Sequence, residues 1–275
     1  PWIARLSIST LNFNATPSLS CGFFADTAGI RFQLRGDLIV PDSKSDQHHV
    51  KEVLFCGPQS RLMPVRIEGN FVSIAVSFRP SACAALLGGS VLPFVDQIID
   101  TQSLSAEFLR SQFTSDATPE NWLLSVEELV RGHIGKLGRA QPNLITAKFE
   151  EIAFRDPAQS IAQIARDLDV DRRHLERLVL RDFGMPPKQV LRRARALDMA
   201  SYLRGVADED EGDALTLRYY DESHLIHEFS ELFGISPRQF SMLPLPLLTQ
   251  QLEIRQARRL EMLQRIEPGA KRPWQ

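Results

Sequence analysis

The sequence predicts an α+β chain: a β-rich barrel or sandwich first, then an all-α part that contains a helix-turn-helix. Three observations carry this. Residues 71–78 place Val72, Ile74, Val76 and Phe78 on one face, and Ile30, Phe32 and Leu34 alternate with Arg31, Gln33 and Arg35, the period of a half-buried strand. Ile161, Ile164, Ala165 and Leu168 recur at spacings of three or four, the stripe of an amphipathic helix. After the break at Asp169-Val170-Asp171, a second helical pattern keeps Leu175, Leu178, Val179 and Phe183 inside. It turns Arg172, Arg173, His174, Arg177 and Arg181 outward.

Further strands are expected at Lys51 to Cys56 and at Leu62 to Ile67. Turns are expected at Pro41-Asp42-Ser43, Gly57-Pro58 and Glu68-Gly69-Asn70. Pro80 to Gly88 reads as a short helix with proline in its first turn and glycine at its end. Leu104 to Phe113 is helical, residues 114–119 are a break, and Asn121 to Leu137 is amphipathic through Trp122, Val126, Leu129, Val130 and His133. Gly138 to Pro142 is a link, and Asn143 to Phe154 opens the helical part. Ser160 and Asp171 are placed to cap the two helices that follow, because their side chains can accept the free N–H groups of a first turn. In the tail, Leu248, Leu252, Ala257, Leu260, Leu263 and Ile266 suit one more amphipathic helix, basic through Arg255, Arg258, Arg259 and Arg265. The expected domains are 1–115 (β-rich), 116–139 (helical connector), 140–240 (helical) and 241–275 (extension).

The chain has 275 residues, 43% hydrophobic, enough to build two cores, and a formal charge of −2. The charge is uneven. Arg172 to Arg204 holds nine basic residues (172, 173, 177, 181, 188, 192, 193, 195, 204) and three acids (176, 182, 198), a net of +6. Gly205 to Phe240 holds two (218, 238) against nine (208, 209, 210, 211, 213, 221, 222, 228, 231), a net of −7. A polyanionic duplex would meet these neighbours very differently. Three widely spaced cysteines suit a reducing cytoplasm and make no zinc spacing. With no G-x-G-x-x-G, no phosphate loop and no nucleophile–base pair, an enzyme, a metal or a cofactor is not expected. His48 and His49 are adjacent and should point opposite ways.

The order of residues from Ala165 to Arg195 resembles the DNA-binding domain of the AraC family of bacterial transcription regulators. Arg173-His174-Leu175-Glu176-Arg177 is similar to its R-x-L-x-R run, and Gly184-Met185-Pro186-Pro187-Lys188 to the G-x-x-P before its linker helix. Asp221-Glu222-Ser223-His224-Leu225 resembles D-x-S-H-[FL], and Phe229, Phe233-Gly234-Ile235-Ser236-Pro237 and Phe240 resemble its closing pattern. The resemblance implies two helix-turn-helix units joined by a linker helix. Gly57-Pro58-Gln59-Ser60-Arg61, Val76 to Pro80 and Ala84 to Gly88 look like the sensory domain of some of these regulators. That implies an effector, a small molecule or a protein, at the amino-terminal domain. The helix at 121–137 would then either mediate a homodimer or pack on the β-domain.

By resemblance, bases are read by Arg173, Glu176 and Arg177 in the first unit and by Glu222, Ser223 and His227 in the second. Phosphates fall to Arg172, His174, Arg181, Lys188 and His224, and Arg192 and Arg193 of the linker helix either do the same or only face water. The partners implied are double-stranded DNA and RNA polymerase, with no membrane and a cytoplasmic location. The second unit departs from the pattern through the acidic loop at 208–213 and through Arg218, which stands where the family has a turn glycine. It is therefore expected to bind DNA weakly or to serve as a packing surface. The alternative is a protein-interaction module that keeps the fold without binding DNA.

Overall fold

The alternating run at 71–78 is the end of the longest strand. The computed structural model describes residues 1–12, 18–101, 113, 118–207 and 222–267, without the side chains of 222–224. Its strands are β1 (Ile3–Leu11), β2 (Ser18–Phe23), β3 (Gly29–Val40), β4 (Gln47–His49), β5 (Val53–Cys56), β6 (Met63–Phe78) and β7 (Ile98–Asp100). They form one antiparallel sheet in the order β1-β6-β3-β5-β7, with β2 also on β6 and β4 also on β3. The expected turn at residues 68–70 is instead a kink inside β6. Gly69 has φ +69 there and lies opposite Gly36, φ +75, where β3 bulges. A Cβ on Gly36 would come within 2.9 Å of the Glu68 carbonyl oxygen, so the two long strands can bend together only around glycine.

The large apolar residues read from the sequence lie on one sheet face. Phe32 pairs with Ile74 and Ile30 with Val76 in register. With Val72 and Phe78 they pack against Cys83 of α1 (Pro80–Leu87) and Trp122 and Val126 of α2 (Pro119–Lys136). Helix α1 stops where Gly88 takes φ +68, and Thr118 caps α2 by accepting the Asn121 N–H. So α2 packs on the sheet through its apolar stripe, while Leu124 stays 62% exposed. The helix expected at Leu104 to Phe113 lies, but for Phe113, outside the described residues.

The opposite sheet face carries small and polar residues: Ser7, Ser9, Ser73, Ala75 and Ser77, with Arg31 and Gln33 among them. It is not a solvent face. Gln33 is fully buried, donating to the Arg35 carbonyl, and Arg31 is 7% exposed, over the Phe23 ring and beside a cavity that the last helix also lines. The helical half comprises α3 (Leu144–Arg155), α4 (Ile161–Asp167), α5 (Arg172–Phe183), α6 (Pro187–Leu203), α7 (Glu222–Phe233), α8 (Pro237–Met242) and α9 (Pro246–Met262). One core joins Phe149, Ile164, Leu175, Val179, Phe183 and Leu191. A second joins Leu197, Phe229, Phe233 and Phe240 with Leu248 and Leu252 of α9 and Phe24 of the sheet region. Among the described residues no helix is long and apolar enough to cross a membrane.

Candidate nucleic-acid interface

Helix α4 begins at Ser160, whose hydroxyl accepts the Gln163 N–H at 3.2 Å, and α5 begins at Asp171, whose carboxylate accepts the His174 N–H at 2.9 Å. Asp169 between them takes φ +52. This is the helix-turn-helix read from the apolar spacing, with both predicted caps in place. Leu175, Leu178, Val179 and Phe183 face inward. The far end of α5 is fixed twice. Its Asp182 is buried and accepts the Thr146 hydroxyl of α3 at 2.7 Å. Gly184, φ +72, ends the helix where a Cβ would run into Val95.

The outer face of α5 divides its expected roles. Arg173 and Arg177 are exposed at the amino-terminal end, with Arg177 2.8 Å from the His174 ring. Arg172 is 67% exposed and holds Glu176 at 2.8 Å, so Glu176 is turned along the helix. Lys188, at the start of α6, is also exposed. Arg181 differs: its guanidinium is paired with Asp182 at 2.6 Å, and that hydrogen bond raises its pKa. Reaching for a phosphate would leave Asp182 buried without its cation.

Beyond Lys188, Arg192, Arg193 and Arg195 of the linker helix are held by partners within the molecule. Arg193, expected on a phosphate, is 2% exposed and donates to the backbone carbonyls of Gln59 and Asp26, both at 2.8 Å. Burial pulls its guanidinium down to about 10, still charged near neutral pH. In this arrangement Arg193 offers nothing to DNA. Arg192, 26% exposed, pairs with Glu228 at 3.2 Å and with Glu231. Arg195 pairs with Glu228 at 3.0 Å. Glu228 and Glu231 thus neutralise Arg192 and Arg195, and Glu228 is buried.

In the second unit, α7 ends at Gly234, φ +72, as α5 ends at Gly184. Ser236 forms a capping box with Gln239 at the start of α8. His227 is 83% exposed, 4.0 Å from Glu231. The side chains of Glu222, Ser223 and His224, the acidic loop at 208–213 and Arg218 lie outside the described residues.

Sequence reasoning missed the residues that join the halves. Arg79 donates to Glu150 of α3 at 2.8 Å. The Gly57-Pro58-Gln59-Ser60-Arg61 loop is held by Asp96, which accepts from the Ser60 N–H at 2.7 Å, and it receives Arg193 at Gln59. A signal existed in the tail: 252, 255, 259 and 260 share one helical stripe, so Arg255 and Arg259 sit among apolar residues. Separately, His48 and His49 do point apart, to Asp37 and Glu52.

Residues 164–242 match a family model described as a helix-turn-helix domain. Among curated proteins no relative matches. Solved structures include ToxT from Vibrio cholerae, with 11% identity, 86% of this chain and 97% of that chain covered, and a TM-score of 0.47. A ToxT structure bound to (E)-4-(8-methylnaphthalen-1-yl)but-3-enoic acid has the same identity and coverage, with a TM-score of 0.48. The AraC-like transcriptional activator CuxR has 15% identity over 70% of this chain and 76% of that one, with a TM-score of 0.30. All three scores lie below 0.5, a loose likeness.

Proposed function

We propose that this chain, which carries an AraC-type helix-turn-helix domain over residues 164–242, is a DNA-binding transcription regulator that reads its site mainly through α5. The observation that carries this is the capped, exposed amino-terminal end of α5. Recognition helices of this class contact base edges with their amino-terminal residues, and Arg173 and Arg177 stand there. Arginine to guanine O6 and N7 is the commonest specific pairing. Arg172 and Lys188 flank it as phosphate contacts. Salt titration tests the reading. Wild-type binding to its preferred duplex should weaken steeply with salt, and Arg172→Ala should flatten that slope by about one unit. A slope unchanged in Arg172→Ala and in Lys188→Ala would favour the protein-interaction module instead.

The effector fits a cavity of about 90 Å³ between the small-residue sheet face and α9. Arg5, Arg255 and Arg258 on its wall are paired with Glu261, with Asp26 and Asp198, and with Glu150, and Arg31 beside them donates to Ser73. Nε of Arg31 is buried without a hydrogen-bond partner among the described residues. A carboxylate is the small anionic group that a wall of guanidinium groups suits. Carboxylates that raise Tm in the wild type should lose that effect in Arg31→Gln. RNA polymerase and a second copy of the chain, met through α2 and its exposed Leu124, complete the proposed partners.

A further inference from the structure

We propose that α9 is a strap that locks the helical half onto the sheet through Arg255, and that this lock fixes the two helix-turn-helix units relative to one another. Helix α9 lies beyond the residues that match the helix-turn-helix domain. Its first turn already joins two cores. Leu247 packs with Leu38, Ile67 and Phe71 of the sheet, while Leu248 packs with Phe229, Phe233 and Phe240 of the second unit. One turn further, Gln251 accepts the Phe24 N–H at 3.1 Å. Arg255 then makes the central contact. Its side chain is 5% exposed, with Nε 3.2 Å from Asp26 of the sheet region and Nη1 2.6 Å from Asp198 of the linker helix. Arg258 pairs with Glu150 of α3, which also takes Arg79 from the sheet side. Arg5 of β1 closes the far end on Glu261 at 3.0 Å.

Each helix-turn-helix unit also hangs on the sheet region at the last turn of its recognition helix. The Val91 N–H donates to the Arg181 carbonyl at 2.9 Å, and the Leu62 N–H donates to the Leu232 carbonyl at 2.8 Å. These two bonds leave the outward faces of α5 and α7 uncovered, so the lock sets geometry rather than access. A buried arginine held between two carboxylates on different elements suits this. Removing one member leaves a buried charge without its partner, so the contact tends to be wholly made or wholly lost.

Hydrogen exchange of the full chain tests the proposal, because the Leu62 and Val91 amides report the joint and the β3–β6 amides report the sheet. Arg255→Met should speed exchange at Leu62 and Val91 tenfold or more and leave the β3–β6 amides unchanged. Asp26→Asn, a gentler and nearly isosteric change, should give the same pattern at smaller size, and it decides the matter if Arg255→Met does not fold. Unchanged Leu62 and Val91 amides would overturn the proposal. So would equal acceleration along β3 and β6, which would make Arg255 an ordinary core residue.

Discussion

In the first helix-turn-helix unit Arg172, Arg173 and Arg177 stand on an exposed helix face; in the second, the buried Glu228 pairs with Arg192 and Arg195, and the exposed Glu231 pairs with Arg192. The two units share a closing glycine and an aromatic or aliphatic core, yet they use their charge for different ends. The +6 and −7 runs of the sequence meet where the described acids Glu228 and Glu231 face Arg192 and Arg195. Part of each cancels the other across the α6–α7 contact. What remains outside on the first unit is the arginine cluster at the start of α5, and this makes it the stronger candidate for DNA.

The largest expected effect tests whether the acids of α7 are structural. Glu228→Ala should lower stability by about 3 kcal/mol, the low end of what removing one partner of a buried pair costs, because Arg192 and Arg195 keep some solvent. Urea unfolding measures it; a stable variant with altered sequence preference would place Glu228 on the DNA instead. Arg177→Ala should relax preference at one base pair by about 1–3 kcal/mol, read by competition between duplexes that differ at that pair. Asp171→Ala removes the cap of α5 and should cost about 1 kcal/mol of stability in thermal unfolding. His227→Ala should change DNA affinity by less than about 0.5 kcal/mol, as exposed substitutions do. A larger loss would break the contrast between the units.

Acid should undo the joint between the halves in a defined direction. Burial alone would raise the Asp26 pKa, but Arg255, Arg258 and Arg193 outweigh it and hold the carboxyl below its usual value. A carboxyl depressed in the folded state stabilises fully above its unfolded pKa, about 3.9, and loses that contribution as pH falls through the lower folded value. Protection of the Leu62 and Val91 amides, relative to their intrinsic exchange at each pH, should therefore fall below about pH 3.9 in the wild type, and less so in Asp26→Asn.

The sheet face built from Val72, Ile74, Val76 and Phe78 was legible because strand alternation needs no tertiary information. So were the caps Ser160 and Asp171, and the stop at Gly88, since each acts within one turn of its own chain. The kink at Gly69 was not legible: it depends on Gly36, which is distant in sequence. The polar residues of β3 read as a solvent face because nothing local signals that Arg31 and Gln33 are covered. Arg193 read as a phosphate contact for a similar reason. Its burial follows from carbonyls at Asp26 and Gln59, more than a hundred residues away.

Selection of the full chain against random-sequence duplexes, with Arg173→Ala/Arg177→Ala and His227→Ala run beside it, tests the central claim most directly. The account predicts that the wild type recovers a motif at least one major-groove turn long, that His227→Ala recovers the same motif, and that the double variant loses it. A motif that survives loss of both arginines, or disappears with His227, would contradict it.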